Sequence, residues 1–407
     1  MHYRDLQKRL WTQIEEYTPI YGDRVSPSES IKRAFFDNPR HVFLDRFRSI
    51  HQMMTGPTRS LDSNQDLEAA YQDQPLMYVD NHDRVLAASS SEPSFIFHLL
   101  GLLDLKPGHS VLEVGCGTGW LLSVMSDVVG DGGRCKGIEI IGYLGEFAKS
   151  ELRDRSNVEV FVGDGITDID SSEKYDRVIF TASSYYFPRF LFDVVAENGV
   201  VIIPLRSKGA SEEVQVLRKL GDTFVAETCR YAKFVPIISR SAGTAMPFNP
   251  IESIPIYSEL INLGISKDKF RIGNTPDPDG LTLMREMVSF TAFLSRYEPS
   301  FEAVCWHNDA GYGTNFETAI YGDPGSTAFG IFLPEEKSMA LWHKGEVTYY
   351  SNTHAGEKFE GRFQEWKNMN RPRSVDFGLI VHREEPAIDI GAIEKRGRFF
   401  FQWTYKS

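Results

Sequence analysis

The sequence predicts an α/β fold in which a mostly parallel sheet carries helices on both faces and is followed by a second, α+β domain. Short apolar runs alternate with helical segments from Ser110 onward, an alternation typical of such sheets. The first of these runs leads into a glycine-rich turn. Residues 239–250 are rich in small residues and proline, and beyond them the pattern changes to short, aromatic-rich strands.

Length and composition exclude several classes of protein. The 407 residues suit two domains, and contents of 42% hydrophobic and 25% charged residues are ordinary for a globular protein. We expect no membrane association, because no run approaches the roughly eighteen apolar residues of a span and the start lacks the apolar core of a signal peptide. The net charge of −12 disfavours nucleic acid as a partner. Cys116, Cys135, Cys229 and Cys305 lack metal-ligand spacing, so we expect no metal site, no disulfide framework and a cytoplasmic location.

The first seventy residues are predicted to be helical. Leu6, Leu10, Ile14 and Tyr17 recur at helical spacing. Residues 26–29 (Ser-Pro-Ser-Glu) are typical of a capping box with Pro27 in the first helical position, so a second helix is expected through Ile31–Phe36 and a stop at Pro39. Gly56–Gln65 is polar and predicts a loop.

Residues 111–119, Val-Leu-Glu-Val-Gly-Cys-Gly-Thr-Gly, indicate a ligand. Val111–Val114 suits a buried parallel strand. Gly115, Gly117 and Gly119 allow a tight turn and a close approach of backbone to ligand. Trp120–Val129 predicts a helix, so the turn brings the ligand to a helix N-terminus.

A carboxylate closes the next predicted strand, Cys135–Glu139. It follows the last glycine by about twenty residues, where an acidic side chain is placed to accept hydrogen bonds from two ribose hydroxyls. The glycine spacing is G-x-G-x-G rather than the dinucleotide pattern G-x-G-x-x-G. The ligand is therefore predicted to be nucleoside-like, and a glycine-rich turn in some other nucleotide fold remains an alternative.

The remaining elements complete the two domains. Further strands are predicted at Val158–Val162, Arg177–Thr181 and Gly199–Ile203, helices at Tyr143–Leu152 and Pro188–Ala196, and an edge hairpin at Val214–Leu220 and Phe224–Lys233. In the second domain we expect a turn at Asn274–Gly280, a helix at Leu281–Arg296, and strands at Phe301–Trp306, Phe329–Leu333, Ser338–Trp342, Phe377–His382 and Arg398–Tyr405.

The glycine turn, with Glu113 two residues before it, resembles the first motif of class I S-adenosylmethionine (SAM) methyltransferases. The resemblance implies a Rossmann-like, doubly wound sheet with N-terminal helices and an added α+β C-terminal domain, and SAM as cofactor. It places Glu113 near the cationic methionine end of SAM. The implied cofactor-binding residues are Glu113, Gly115, Gly117, Thr118, Gly119, Glu139, Ile140, Asp164 and Gly165.

Flanking motifs are similar to those of protein-L-isoaspartate O-methyltransferases. In chain order they are Asn38–Phe43 (V-P-R-x-x-F in the family), Ala70–Leu76 (A-Y-x-D-x-P-L), Ser91-Glu92-Pro93 (S-[AQ]-P), Val162–Gly165 (G-D-G), Asn198-Gly199 with Pro204, and Phe234–Ile237 (F-V-P-L). The resemblance covers residues 31–238. It implies a carboxylate as methyl acceptor and an Asp164 contact to the adenine amino group.

Two features of the sequence depart from the family pattern and indicate a subgroup of the family. Ser94 stands where the family usually has histidine, after the run Ser89–Ser91, and residues 245–407 extend beyond the short repair enzymes. Both features are similar to methyltransferases of graspetide, lanthipeptide and lasso-peptide pathways. This subgroup methylates an aspartate of a modified ribosomal peptide, and the ester collapses to an aspartimide. The expected organisation is a helical segment (1–70), a SAM-dependent domain (71–240) and a substrate-recognition domain (245–407).

A carboxylate nucleophile is already ionised at neutral pH, so no general base is expected. Ser91 is the candidate catalytic residue, because its hydroxyl suits the orientation of one carboxylate oxygen. The candidate substrate contacts are Tyr71, Asp73, Ser90, Ser183 and Ser184. Each is also consistent with a structural role as packing residue, turn former or cap, and His307-Asn308-Asp309 is more typical of a polar cap than of a catalytic group.

Three alternatives remain open at this point. The first is general repair of isoaspartyl damage in proteins, the second a non-catalytic peptide-binding adaptor, and the third a small-molecule methyltransferase. The partner is thus a modified ribosomal peptide or an isoaspartyl protein, and the oligomeric state is left undetermined.

Overall fold

The computed structural model describes residues 2–19, 22–52, 56–208, 212–240, 249–254, 257, 259, 265–271, 281–305, 327–343, 346–387 and 391–406. The chain divides into two compact units, Met1–Pro204 with Val214–Thr244, and Leu205–Glu213 with Ala245–Ser407. A boundary at residue 70 stays a prediction. Within the described ranges, no helix has the length and apolar character needed to cross a membrane.

The helices of the first unit are α1 (Tyr3–Glu16), α2 (Glu29–Asp37), α3 (Asn64–Ala70), α4 (Pro93–Leu103), α5 (Trp120–Val129), α6 (Gly142–Leu152) and α7 (Leu191–Val194). The predicted cap of α2 is wrong by two residues. Ser28, not Ser26, accepts the hydrogen bond from the Ile31 N–H, so Pro27 precedes the helix. The predicted helix Pro188–Ala196 is also wrong beyond α7, because the β-branched pair Val194-Val195 already leads into a strand.

Two sheets lie in this unit. The strands β1 (Phe47–Ser49), β2 (Leu76–Val79) and β3 (Val85–Ser90) form an antiparallel sheet that the sequence did not predict. The main sheet contains β4 (Ser110–Val114), β5 (Arg134–Glu139), β6 (Val158–Val162), β7 (Tyr175–Phe180), β8 (Val195–Arg206), β9 (Glu212–Leu220) and β10 (Thr223–Tyr231). These strands run in the order β10-β9-β8-β7-β4-β5-β6, as an α/β fold requires.

The topology places a crevice beside β4. This strand pairs in parallel with β5 on one side and with β7 on the other, so successive crossovers leave it in opposite directions. Ligands of doubly wound sheets bind at the carboxyl ends of the strands at such a switch point. Behind it, Val111, Leu122 and Ile179 are buried in one apolar core with α4 and α5, and each fully buried side chain of this kind contributes about 1.5–3 kcal/mol.

The second unit contains β11 (Asn249–Pro250), β12 (Ile265–Arg271), α8 (Leu281–Tyr297), β13 (Phe301–Cys305), β14 (Thr327–Leu333), β15 (Ser338–His343), β16 (Glu346–Tyr350), α9 (His354–Asn368), β17 (Phe377–His382), β18 (Ala392–Arg396) and β19 (Phe399–Tyr405). A six-stranded sheet has the order β11-β13-β14-β15-β16-β12, and β18, β19 and β17 are antiparallel neighbours. The predicted turn Asn274–Gly280, Trp306 and His307-Asn308-Asp309 lie outside the described residues.

Aromatic packing holds this unit together. The Phe290 ring of α8 packs against Trp366 and Phe359 of α9, with ring centroids 5.4 and 5.7 Å away. The buried Arg296 guanidinium lies 4.1 Å from the Trp403 ring centroid and forms an ion pair of 3.3 Å with Glu213, which is also buried. Glu213 is therefore held by α8, which agrees with its grouping in this unit.

Candidate functional site

The glycine turn links β4 to α5 in a shape that only glycine provides at two positions. Gly117 has φ +54°, and a Cβ there would lie 3.3 Å from the Tyr78 hydroxyl. Gly119 has φ +88°, and a Cβ there would lie 2.7 Å from Leu152 Cδ1 on α6. The turn therefore leaves its backbone open while α5 and α6 pack closely behind it.

Two adjoining clefts open beside this turn and share Ser89, Gly115, Gly117 and Thr181. The first, of about 530 Å³ and open to solvent, is lined in addition by Ala87, Ala88, Val114, Ile138–Ile141, Gly165, Ala182 and Val235–Ile238. The second, of about 360 Å³, is lined in addition by Tyr78, Ser90, Ser91, Ile96, Glu113, Cys116, Trp120 and Leu121. Together they form one elongated crevice at the carboxyl ends of β4 and β5.

Glu139 lies in the first cleft and is held by the backbone. Its Oε2 accepts a hydrogen bond from the Gly117 N–H and its Oε1 accepts one from the Ile141 N–H, both at 2.8 Å. Burial raises the pKa of this carboxyl above its usual range, although the two N–H donors act in the opposite direction. The carboxylate is thus rigidly placed beside Ile140, with lone pairs left to accept hydroxyl donors.

Glu113 lies in the second cleft and lacks such support. It is 1% exposed, and its Oε2 has no hydrogen-bond partner. Burial first, and the Glu139 charge second, raise the pKa of this carboxyl to about 8. A buried acceptor without a donor is costly, so this oxygen marks a place for a cationic or hydrogen-bond-donating ligand group.

Asp164 is oriented by the chain that leaves the main sheet. Its Oδ1 accepts from the Ile166 N–H at 2.9 Å, and its Oδ2 accepts from the Ser239 hydroxyl at 2.9 Å and the Arg240 N–H at 2.7 Å. Burial alone would raise the pKa of Asp164, but the backbone N–H bonds and the Ser239 hydroxyl bond hold it below its usual value. The neighbouring Gly165 lines the first cleft.

The Thr118 hydroxyl serves the protein rather than the cleft. It donates to the Phe43 carbonyl at 2.6 Å and lies 2.9 Å from the Tyr78 hydroxyl. Its predicted contact with the cofactor therefore stays a prediction.

Ser91 lies at the wall of the second cleft together with Ser89 and Ser90, and its role toward an acceptor stays a prediction. Within the described residues its hydroxyl makes no hydrogen bond. Glu113 lines the same cleft, so the candidate acceptor contact and the candidate cofactor contact share one cavity.

Arg40 fixes the two segments that cover this cleft, a role that sequence reasoning missed. Its buried guanidinium donates hydrogen bonds of 3.0–3.2 Å to the carbonyls of Ala70, Gln72 and Gln74, and others to Ser90 and Ser91. Burial lowers the pKa of Arg40 to about 10, so it stays charged at neutral pH. Arg40 stood in the sequence only as the arginine of the Asn38–Phe43 motif, with no indication of its partners.

Four predicted substrate contacts have their hydrogen-bonding groups engaged within the protein. The buried Tyr71 hydroxyl lies 2.7 Å from His41 Nδ1, and Asp73 Oδ1 accepts from the Ser94 N–H at 2.8 Å, which caps α4. Ser183 pairs through its backbone with the Val235 carbonyl. The Ser184 hydroxyl donates to the Tyr186 carbonyl at 2.6 Å. Their contact with substrate remains a prediction.

Sequence reasoning also missed part of the crevice wall. Thr181 and Ala182 follow β7, and Val235–Ile238 lie beside them through the Ser183–Pro236 bridge. The sequence indicated Phe234–Ile237 only as a family motif, and its last three residues, Val235–Ile237, line the first cleft. Among the described residues, no cluster of three or more His, Cys, Asp or Glu side chains is placed to hold a metal ion.

The fold and the crevice define a class I SAM-dependent methyltransferase. The family model for protein-L-isoaspartate(D-aspartate) O-methyltransferase matches residues 40–242. A protein-L-isoaspartate O-methyltransferase of Pyrococcus horikoshii is 30% identical over 232 residues, which are 56% of this chain and 92% of the relative. One of Methanococcus maripaludis (strain C7) is 31% identical over 238 residues, covering 56% and 98%. The chain belongs to the protein-L-isoaspartate O-methyltransferase family.

A solved structure supports the fold over both units. It is described as a protein-L-isoaspartate O-methyltransferase and aligns over 100% of each chain with a TM-score of 0.52 at 17% identity.

The residues fit SAM as the cofactor. The carboxylate of Glu139 is placed for the ribose hydroxyls, the turn at Gly117 lets the ligand approach the backbone, and the unpartnered oxygen of Glu113 suits the cationic methionine end.

Proposed function

We propose that this chain is a general protein-L-isoaspartate O-methyltransferase, which methylates the side-chain carboxylate of isoaspartyl residues in polypeptides. The observation that carries the proposal is the second cleft, in which the Ser91 hydroxyl and the Glu113 carboxylate line one cavity. The family membership and the similarity to curated isoaspartate methyltransferases support the same acceptor.

The chain's own residues position the reactants. SAM supplies a methyl group to a nucleophile by in-line displacement. The acceptor carboxylate is ionised at neutral pH and needs no base, so alignment and exclusion of water are what the protein contributes. The Ser91 hydroxyl donates to one carboxylate oxygen and leaves the other to attack.

A weak donor suits this step better than a cation. A guanidinium or ammonium would stabilise the carboxylate in the ground state and slow its attack. Arg40 does not act in this way, because its donors are taken up by backbone carbonyls and Ser90. The enzyme is proposed to stop at the ester. The following backbone amide nitrogen then attacks the ester carbonyl, methanol leaves with the amide proton, and a succinimide forms without the enzyme.

A narrower acceptor is a second candidate. All three residues Ser89–Ser91 line the second cleft, and Ser94, which replaces the usual histidine, is bonded to Glu92 and Asp73. This serine-rich wall is the feature that the chain shares with the enzymes of modified ribosomal peptides. In this candidate the acceptor is an aspartate of a constrained precursor, and the ester becomes an aspartimide.

One experiment separates the two candidates. Methyl transfer from isotope-labelled SAM is measured to a short linear isoaspartyl peptide, to its aspartyl isomer and to a macrocyclic aspartyl peptide. General repair predicts transfer to the first peptide alone. Transfer to the macrocycle but not to the linear isoaspartyl peptide would replace the first candidate by the second. No transfer to any of the three, by enzyme that still binds S-adenosylhomocysteine, would contradict both.

The role of residues 245–407 in substrate recognition is also proposed. An extended peptide can add a strand to a free sheet edge, and β11 and β12 are the end strands of the six-stranded sheet. We expect KM to fall as an isoaspartyl peptide is lengthened beyond the residues that the crevice can hold. Equal KM values for short and long peptides would remove this role.

A further inference from the structure

Two buried carboxylates, Glu113 and Glu139, face the crevice from neighbouring strands but differ in the hydrogen bonds they accept. Glu113 is the register partner of Gly137 on β5, and Glu139 follows two residues later. Glu139 receives two backbone N–H donors, whereas Glu113 Oε2 receives none. An ionised Glu139 is thus compensated by the fold, and an ionised Glu113 is not.

Among the residues that the structure describes, the groups that interact electrostatically with Glu113 supply no positive charge. Those that sense it electrostatically are Glu139, the thiol of Cys116 on the glycine turn and the thiol of Cys135 on β5. Burial raises the pKa of both thiols, so they are neutral between pH 6 and pH 8. The neighbouring charge is therefore the negative one of Glu139.

We propose that Glu113 selects the cationic methionine portion of SAM by exchanging a proton for it. In the free enzyme the Glu113 carboxyl carries a proton; when the cationic end of SAM enters the second cleft, the proton leaves to solvent and the carboxylate faces the cation. The inference rests on the cofactor and not on the proposed acceptor, so it can fail or hold independently of the isoaspartyl proposal.

The exchange has a definite pH dependence. Because the pKa of Glu113 is raised to about 8 in the free enzyme, binding at lower pH must first ionise the carboxyl. The Kd for SAM should fall about tenfold for each pH unit from pH 6 toward pH 8 and then level off. A ligand that lacks the cationic portion should show no such dependence.

The test is calorimetric and needs no methyl acceptor. Binding enthalpies at pH 7 are measured in buffers of different ionisation enthalpy, which counts the protons released. SAM is compared with 5′-methylthioadenosine, which keeps the adenosine and thioether but lacks the amino-acid part. We expect SAM to release close to one proton and 5′-methylthioadenosine none. Binding of S-adenosylhomocysteine, which has the ammonium group but no sulfonium, then tells which cation is exchanged. If its binding releases a proton, the exchanged cation is the ammonium; if its binding releases none, the exchanged cation is the sulfonium. Both results support the proposal.

Variants complete the design. Glu113→Gln mimics the protonated carboxyl, so it should keep the fold, release no proton with SAM and lose the pH dependence of Kd. Glu159→Gln, an exposed carboxylate on the next strand, β6, is the matched control and should behave as wild type. The proposal is overturned if wild-type enzyme releases no proton with SAM, if 5′-methylthioadenosine releases as many, or if Glu113→Gln leaves the count unchanged. Should that variant fail to fold, the comparison of the two ligands on wild-type enzyme still decides.

Discussion

The residues predicted to contact the cofactor (the cofactor side) and those predicted to contact the methyl acceptor (the acceptor side) differ in whether their side chains line the crevice or bind other parts of the protein. On the cofactor side, Glu113, Gly115, Gly117, Glu139 and Gly165 line the crevice, whereas the side-chain oxygens of Thr118 and Asp164 are hydrogen-bonded to other residues of the protein. On the acceptor side, the polar groups of Tyr71 and Asp73 are bound to other residues of the protein, and only the serine run reaches the cavity. More of the predicted cofactor contacts than of the predicted acceptor contacts therefore line the crevice.

Arg40→Met should have the largest effect on stability and on the acceptor side of the crevice. The variant leaves the carbonyls of Ala70, Gln72 and Gln74 without their buried donor, so we expect the free energy of unfolding to fall by about 4 kcal/mol and methyl transfer to be lost. Denaturant unfolding checks this. Arg153→Met is the control, because that side chain is 73% exposed. If both variants unfold alike, Arg40 does not organise the covering segments.

Glu139→Gln should weaken the cofactor side without unfolding it. The change removes the charge that the Gly117 and Ile141 N–H groups orient toward the ribose position. Hydrogen bonds to a charged group contribute about 1.5–3 kcal/mol, so the Kd for S-adenosylhomocysteine should rise about 10- to 100-fold. Calorimetry measures it, and an unchanged Kd would exclude a ribose contact.

Ser91→Ala and Ser90→Ala form a matched pair on the acceptor side. Ser91→Ala should lower kcat about tenfold with unchanged affinity for S-adenosylhomocysteine, because one positioning hydrogen bond is lost. Ser90→Ala removes an acceptor of Arg40 and should lower stability by about 1 kcal/mol with a smaller effect on kcat. The reverse order of the two kcat values would contradict the assignment of Ser91.

Glu113→Gln should alter the pH dependence of stability. The carboxyl has a pKa of about 8 in the folded enzyme against an ordinary value of 4.5, so its contribution to stability is full at low pH and is lost as pH rises through about 8. Because that loss begins at the unfolded value of 4.5, the ligand-free variant should melt a few degrees above wild type at pH 9 and close to it at pH 4.5. Parallel melting curves at both pH values would show that the wild-type carboxyl is not protonated.

Tyr71→Phe should have the smallest effect. It removes only the hydrogen bond to His41 and should cost about 1 kcal/mol of stability, with kcat changed less than about threefold. A loss of kcat as large as that of Ser91→Ala would restore Tyr71 as a substrate contact. Steady-state kinetics at saturating SAM distinguishes the two results.

The strands and helices that carry the cofactor could be predicted from sequence because each has a strong local pattern. Val158–Val162 and Trp120–Val129 have the predicted bounds. The sheet formed by β1, β2 and β3 was missed, since Val85–Ser90 ends in serines and shows no apolar alternation. Helix α9 was missed although Phe359, Phe363 and Trp366 are spaced at four and three residues along it, so there the signal was present.

The sequence predicted the residue types at the crevice wall better than the contacts that position that wall. Glycines and carboxylates at strand ends are diagnostic because backbone geometry and ribose chemistry demand those types. The bonds of Arg40 go mainly to backbone carbonyls, which every residue possesses, so they leave no trace in the sequence of the partners. The Asp164 contacts to Ser239 and Arg240 join positions far apart in the chain and have no local pattern either.

The Arg40 guanidinium also makes the position of the cleft wall independent of the length of the chain segment that precedes residue 70. It pins residues 70–74 directly to the position where the chain leaves α2, so residues 44–69 form a closed excursion whose two ends are already fixed. Each doubling of such a loop costs only about 0.6 kcal/mol of closure entropy. Changes of length between β1 and α3, outside the paired strand and the helix, should therefore be tolerated without displacing the wall that carries Ser91.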